Sequence, residues 1–257
     1  MSDLVSITNF ETGIGLETSK EDVAALALKS IAGIVPFGGT LAEILTTVIP
    51  NQKSERVIEF VKVLDYKLAT AERRIDEAEL KTEEFTDLFE EAIRQASKAL
   101  TPERLDYLAT LLKNGVTNED LDHLSEKRIL ELLGELNDAE IILLKSYSYR
   151  LRRPGVEPYN SFYERHLNLL EPLPPARLGA QLPKEINNKR ALREGYLNNL
   201  ERLGLVEENF GDVKDGEIPR FDSSTGKIKS KGTRATGLGR LLLDQLDLLE
   251  DELVGVA

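Results

Sequence analysis

Apolar residues recur along much of the chain at intervals of three and four positions, which places them on one face of an α-helix. This pattern predicts a long amphipathic helix over residues 53–80 and a second one over residues 84–99. The first apolar stripe comprises Val57, Ile58, Val61, Leu64, Leu68, Ala71 and Ile75. The second comprises Phe85, Leu88, Phe89, Ala92, Ile93 and Ala96. Helices with one apolar face each indicate a protein that packs helix on helix.

Capping and turn residues predict the limits of two further helices. Thr101 followed by Pro102 is a typical helix start, because the threonine can cap the helix and proline fits its first position. The pair Asn114-Gly115 predicts the end of that helix. A shorter helix is expected over residues 127–133.

Residues 23–49 form two apolar segments separated by Pro36 and two glycines, and from position 30 to position 52 the only charged residue is Glu43. Thr18 and Glu21 fit a capping box at the start of this hairpin. We interpret the hairpin as buried in the bundle core. Its release into a membrane as an effector is the alternative, because the apolar span is about long enough to cross a bilayer. The residues on which either hypothesis depends are Ile34, Pro36, Phe37, Gly38, Gly39 and Ile44.

The order of segments from about residue 136 onward is typical of a winged helix. The sequence Asn137-Asp-Ala-Glu140 fits a capping box that opens the first helix, and residues 185–203 predict the third helix, which this fold presents to a groove. Gly204 then permits a turn into a short strand at residues 205–206. Residues 209–231 would form a long wing, with its return strand at residues 232–235.

Together these segments predict a mainly α protein, with an N-terminal helical bundle followed by a C-terminal winged-helix (α+β) domain. We divide the chain into a loose leader at residues 1–17, the bundle at 18–135, which includes the apolar hairpin 23–49, and a winged-helix-like domain at 136–257. A winged helix is a recognition scaffold that rarely carries out chemistry, so this architecture favours binding over catalysis.

Residue types that carry chemistry are scarce. The chain has no cysteine and only two histidines, His123 and His166, and neither is followed by a metal-type partner four positions later. Nucleophile-elbow and zinc-protease motifs are absent, and Gly39 occupies the position of the phosphate-binding lysine in the P-loop-like stretch 33–40. We therefore expect no enzymatic activity, no cofactor and no metal site. The N-terminus lacks the pattern of a signal peptide, which predicts a cytoplasmic protein.

The net charge of −12 disfavours nucleic-acid binding by the whole molecule. The third helix and the wing of the C-terminal domain nevertheless carry polar and basic residues that could contact base edges and phosphates. The same residues could instead contact a protein, because acidic residues interrupt the helix. The candidate contact residues are Asn187, Asn188, Lys189, Arg190, Arg193, Lys227, Lys229, Lys231 and Arg234.

Two stretches of the C-terminal part, Asn199-Leu-Glu-Arg-Leu-Gly-Leu-Val206 and Thr236-Gly-Leu-Gly-Arg-Leu-Leu-Leu243, follow a helical body. In this arrangement the chain resembles bacterial proteins of the Abi-alpha kind, which are uncharacterised or associated with abortive infection. The stretch Ile49-Pro-Asn-Gln-Lys-Ser-Glu-Arg-Val57 is similar to the start of a long helix in other uncharacterised bacterial helical proteins. The resemblance implies a role in phage defence or in an associated toxin or regulatory system.

Our hypothesis from the sequence is a non-enzymatic interaction or effector protein of a bacterial defence or stress system, whose winged helix docks a protein partner. The alternative is a winged-helix transcriptional regulator that binds DNA through its C-terminal domain. A third hypothesis is an effector that permeabilises membranes through the 23–49 hairpin. Homo-oligomers are also consistent with the sequence, because long amphipathic helices such as 53–80 often pair.

Overall fold

The fold was analysed on a computed structural model of the 257-residue chain. The structure describes residues 51–72, 75, 79–117, 121–149, 152–153, 155–174, 182–210, 218, 221, 228 and 230–249. The predicted leader and the apolar hairpin 23–49, with Ile34, Pro36, Phe37, Gly38, Gly39 and Ile44, lie outside these ranges.

The described residues are mainly helical, with one small two-stranded antiparallel sheet near the C-terminal end. A 3-10 turn at Glu79–Lys81 precedes the second helix. The helices are α1 (Asn51–Ala69), α2 (Glu83–Ala96), α3 (Pro102–Thr117), α4 (His123–Glu135), α5 (Asp138–Ser148), α6 (Tyr159–Arg165), α7 (Leu167–Leu170), α8 (Lys184–Arg202) and α9 (Gly237–Gln245). The strands are β1 (Val206–Asn209) and β2 (Gly232–Ala235).

Apolar stripes on α1 to α4 meet in a common core. α1 packs mainly against α3, while α2 packs against α3 and α4. All six apolar positions predicted for the second stripe are buried, in agreement with the sequence pattern. Phe60 is fully buried on α1 although the predicted stripe omitted it, and its ring lies 6.3 Å from that of Phe89 on α2.

Side chains at several helix starts hold the first turns as the sequence indicates. The Asn137 side chain accepts a hydrogen bond from the Glu140 amide at 3.0 Å, and the Glu140 carboxylate accepts one from the Asn137 amide at 2.8 Å. This reciprocal pair confirms the predicted capping box at the start of α5. Thr101 accepts from the Arg104 amide at 3.3 Å, which agrees with the predicted start of α3.

Helix α1 ends at Ala69, so the prediction of one helix through residue 80 is wrong. The Thr70 amide and hydroxyl both donate to the carbonyl oxygen of Tyr66, at 3.0 and 2.8 Å. A threonine hydroxyl that bonds to the backbone in this way competes with helical hydrogen bonding. Ile75, at the end of the predicted stripe, still packs against the core, so apolar spacing continued beyond the helix itself.

Helix α3 continues through Gly115 to Thr117, so Asn114-Gly115 does not end it as predicted. The side chain of Asn114 is buried and donates to the carbonyl oxygen of Gln245 at 3.0 Å. A Cβ atom on Gly115 would lie only 3.1 Å from a carboxylate oxygen of Glu126 on α4. Both residues therefore serve contacts between helices, which outweigh their local preference for a helix end.

The two strands pair in antiparallel register, with Val206 opposite Ala235 and Asn209 opposite Gly232. The limits of β2 confirm the predicted return strand, and β1 begins one residue later than the predicted segment 205–206. Gly204 adopts a φ of +71°, a conformation that glycine adopts without strain, and so turns the chain from α8 into β1.

Helix α9 closes the described fold by packing against α3, α5 and β2. Leu242, Leu243 and Leu246 join the same buried apolar cluster that contains Val57 of α1. This cluster includes residues on both sides of the domain boundary predicted at residues 135–136, and the division into domains stays a prediction. In the part of the chain that the structure describes, no helix combines the length and apolarity needed to span a bilayer.

Candidate partner-binding surface

Helix α8, predicted as the third helix of the C-terminal domain, lies largely in solvent. Of its 19 residues only Leu200 is fully buried, and the helix packs through its C-terminal half against α5 and β1. The exposed side carries one stripe at helical spacing, which we call the α8 docking face. It comprises Asn188, Ala191, Leu192, Gly195 and Asn198.

The two arginines predicted to contact a partner from α8 bind the protein's own backbone. Arg190 donates to the carbonyl oxygen of Pro174. Arg193 donates to the carbonyl oxygens of Leu169 and, at 2.9 Å, Glu171. These bonds attach the segment after α7 to the side of α8. An Arg190 substitution therefore changes a structural contact as well as surface charge.

Charges and amides at the start of α8 are also largely paired. Lys189 forms an exposed ion pair with Glu185 at 3.3 Å, and Asn187 donates to the carbonyl oxygen of Leu182 at 3.2 Å. Asn188 is exposed beside them, and the side chain of Leu192 is 57% exposed in the middle of the stripe. The α8 docking face is consequently neutral and carries an exposed leucine at its centre.

The structure describes only part of the basic residues predicted on the wing. Lys227 and Lys229 are outside the described residues. Lys231 is exposed beside β2, and Arg234 pairs with Glu207 on β1 at 2.8 Å. Since β2 packs on α5 and α9, the described contacts do not bring these cations together with those of α8.

Apolar side chains are exposed in the connection between β1 and β2. Phe210 is 42% exposed and Ile218 is 85% exposed. Phe221 and Ile228 form an isolated antiparallel bridge, which extends the pairing beyond the two strands, and both side chains are exposed. Exposed apolar side chains that lie close together are typical of surfaces that contact other proteins.

A group of cations that the sequence analysis missed surrounds the C-terminal end of α5. We call Lys145, Arg152, Arg153 and Arg165 the cationic band. The Arg152 guanidinium donates to the carbonyl oxygen of Thr233 on β2 at 2.8 Å and lies 4.8 Å from the centre of the Tyr147 ring. The Lys145 ammonium lies 5.4 Å from the centre of the Phe162 ring. The excess of cations between residues 145 and 165 is visible in the sequence, but the ring contacts of Lys145 and Arg152 depend on the fold.

Aromatic rings form a cluster beneath the cationic band. The ring of Tyr149 lies 5.4 Å from both Tyr159 and Phe162, and Tyr159 lies 5.7 Å from Tyr163. His166 completes the cluster, with its ring 4.8 Å from that of Phe162. Burial, followed by the nearby charges of Arg165 and Lys145, lowers the pKa of His166. A histidine in this position is neutral at physiological pH and packs as an aromatic ring.

Titratable groups elsewhere form a smaller cluster between α2 and α4. The Asp87 carboxylate accepts from Lys127 at 2.6 Å, which lowers the pKa of Asp87, and lies 3.4 Å from Nε2 of His123. Burial raises the pKa of Glu126 to about 7. Within the described ranges, no three histidine or carboxylate side chains are grouped so that they could hold a metal ion.

No family model, no curated protein and no solved structure matches the chain.

Proposed function

We propose that the protein is a non-enzymatic interaction protein whose C-terminal part, residues 136–257, is a winged-helix module that docks a protein partner. The order α5, α6, α7, α8, β1, β2 supports the winged-helix assignment, since three helical segments, namely α5, the consecutive short helices α6 and α7, and α8, precede two paired strands. In this assignment α8 is the third helix and the connection between β1 and β2 is the wing. The helices before α5 form the supporting bundle.

The character of the α8 docking face is the observation that carries this proposal. A helix that reads DNA presents cations and amides to phosphates and base edges. On α8 the arginines bind backbone carbonyl oxygens instead, and the stripe that faces solvent is neutral, with Leu192 at its centre. Ala191 and Gly195 beside that leucine allow the close approach of another polypeptide. This surface fits a protein better than a phosphate backbone.

The exposed apolar residues of the wing give the partner a second point of contact. Phe210 and Phe221 are large rings of the kind enriched where proteins bind one another. The resemblance to proteins of the Abi-alpha kind suggests the setting of this docking, namely a bacterial defence system against phage.

Site-specific photo-crosslinking tests the docking role. A photoreactive amino acid at Leu192 should give one discrete crosslinked protein in cells, because this side chain lies at the centre of the docking face. The same amino acid at Leu124, which is 76% exposed at the start of α4, is the matched control and should give none. Absence of an adduct at Leu192, or the same adduct from both positions, would contradict the proposal.

Introduction of a negative charge provides an independent check on the same face. Asn188→Glu should abolish the Leu192 adduct while leaving circular dichroism unchanged, because the Asn188 side chain is exposed and takes part in no described hydrogen bond. Glu90→Lys on α2 is a comparable exposed charge change and should leave the adduct intact. Persistence of the adduct in the Asn188 variant would show that the crosslinked protein does not dock on α8.

A further inference from the structure

The cationic band lies in a segment of this acidic protein in which cations outnumber carboxylates. Between positions 145 and 165 the sequence has five cations, at positions 145, 150, 152, 153 and 165, against two carboxylates, Glu157 and Glu164, so the segment carries +3 in a chain of −12. Such a local excess attracts polyanions even where the net charge of the molecule repels them.

The fold holds the band's side chains at defined positions. Arg152 is fixed between the Tyr147 ring and the carbonyl oxygen of Thr233, so its guanidinium lies at the edge of the sheet. At the other end Lys145 lies over Phe162, and Arg165 ends the α6 helix that carries this ring. The band thus extends from β2, past the C-terminal end of α5, to the end of α6.

The arginines of the band are not neutralised within the described part of the chain. There, no carboxylate lies within 4.0 Å of the guanidinium nitrogens of Arg152, Arg153 or Arg165. The two nearby acids bind other groups, since Glu157 accepts from the Ser161 hydroxyl at 2.9 Å and Glu164 accepts from the Asn160 amide at 3.1 Å. Elsewhere exposed cations such as Arg94 and Arg128 pair with glutamates on their own helices.

The composition of the band points to phosphate. Three of its four residues are arginines, whose planar guanidinium donates two parallel hydrogen bonds to a phosphate and stacks on rings. Tyr149 and Tyr163 are half-buried in the aromatic cluster of the band, and aromatic rings are the groups on which nucleic-acid bases stack. An acidic peptide would form ion pairs with the cations of the band but would not stack on its tyrosine rings.

We propose that the cationic band binds the phosphate backbone of a nucleic acid. This surface is distinct from the α8 docking face, so the proposal does not rest on the proposed function. Contact would be made by Arg153 and Arg165 at the exposed positions and by Arg152 at the edge of the sheet. Because the contacts are to phosphates and ring faces, binding tolerates changes of base sequence.

Fluorescence anisotropy of labelled oligonucleotides tests this proposal on the full-length protein. We expect binding at about 50 mM salt that weakens steeply as the salt concentration rises, because phosphate contacts release counterions. The probes are a single strand of about 16 nucleotides and the corresponding duplex, which share the phosphate backbone and differ in access to the bases. Tighter binding of the single strand would assign a stacking role to the tyrosines, and equal binding would assign the contact to phosphates alone; both outcomes support the proposal.

The double variant Arg153→Glu/Arg165→Glu replaces two arginine side chains that take part in no hydrogen bond or ion pair in the described part of the chain. It should lower the affinity by at least about tenfold and reduce the slope of log affinity against log salt by about two. The control Arg94→Glu/Arg128→Glu makes the same change of charge on α2 and α4, and should lower affinity by no more than about twofold, through net charge alone. Circular dichroism of both variants checks that the fold is retained.

Three outcomes would overturn the proposal. One is the absence of binding by either probe at low salt. Another is an equal loss of affinity in the band variant and the control variant, which would reduce the effect to overall charge. The last is tighter binding of a labelled polyglutamate peptide than of the oligonucleotides, which would identify the band as a site for acidic protein segments. Crosslinking at Leu192 is expected to be unaffected by the band variant, so failure here and failure of partner docking are separable.

Discussion

Substitution of Gly239 by alanine tests the closest backbone contact in the C-terminal part. Gly239 lies in the first turn of α9, against the end of the turn that leads into β1. A Cβ atom at this position would lie 2.2 Å from the carbonyl oxygen of Leu205 and 3.1 Å from a methyl carbon of Leu144. Non-bonded carbon contacts have their optimum near 3.5–4.0 Å, so α9 and the β1 turn would have to separate by about 1 Å.

The cost of this movement can be worked out from the contacts that it disturbs. Overpacking in a well-packed core costs about 1–3 kcal/mol. The Thr236 amide donates to the same Leu205 carbonyl oxygen at 3.0 Å, and loss of this bond costs about 1 kcal/mol more. Alanine in a helix recovers at most about 1 kcal/mol relative to glycine. We therefore expect Gly239→Ala to lower the free energy of unfolding by about 1–3 kcal/mol.

Gly237→Ala is the matched control, because it makes the same change two residues earlier in the same helix. A Cβ atom on Gly237 would have no neighbour within 4 Å. This variant should be between neutral and about 1 kcal/mol more stable than the wild type. Urea unfolding followed by far-ultraviolet circular dichroism measures both values. If Gly239→Ala is as stable as Gly237→Ala, the close approach of α9 to the β1 turn does not exist.

Two further substitutions test single side chains. Burial raises the pKa of Glu126 to about 7, so the folded protein favours the protonated form of this side chain. The stability that this preference contributes is present below the ordinary pKa of 4.5 and is lost as the pH rises through about 7. Glu126→Gln should therefore be about 1 kcal/mol more stable than wild type in urea unfolding at pH 8, after allowance for solvent screening. The gain in stability should vanish near pH 4. A gain that does not depend on pH would refute the raised pKa of Glu126. Asn114→Ala removes buried hydrogen bonds to Gln245 and Asp247 and should cost about 1–3 kcal/mol, measured by thermal or urea unfolding. Lys113→Ala loses only a more exposed ion pair to Asp247 and should cost less than about 1 kcal/mol, so equal losses would contradict this account.

Local signals in the sequence predicted those elements whose limits depend on neighbouring residues. The capping box at Asn137 and Glu140 needs only four consecutive residues, and the structure confirms it. The apolar stripe that begins at Phe85 was predicted completely because all its residues lie on one face of a regular helix. β2 could be placed because Gly232 and Thr236 bound it on either side.

Contacts between distant residues could not be read from the sequence. Asn114-Gly115 resembled a helix end because the partners of these residues, Gln245 and Glu126, belong to other helices. The apolar spacing after Ala69 predicts a continued helix. In the structure, Ile75 packs against the core although it lies beyond the end of α1. A pattern of apolar positions indicates which side chains are buried, but it does not show whether the backbone at those positions is helical.

The candidate site was predictable in its location but not in its chemistry. The length and position of α8 followed from the sequence, as did the exposure of Asn188. The roles of Arg190 and Arg193 did not, because their acceptors are carbonyl oxygens, and every residue type carries one. Hydrogen bonds to backbone carbonyl oxygens cannot be recognised from the sequence. A basic helix face can therefore be predicted where the arginines of the folded protein bind its own backbone.

The attachment of residues 167–174 to α8 by arginine side chains has a consequence for how α8 is exposed over time. Helix α7 has no fully buried residue, although Leu169 and Leu170 pack against the core, so hydrogen bonds from Arg190 and Arg193 supply part of this attachment. Segments held in this way open at lower free energy than the core and exchange their amide hydrogens sooner. We therefore expect this segment to open before the core does, and each opening would free the side chains of Arg190 and Arg193 from their backbone acceptors.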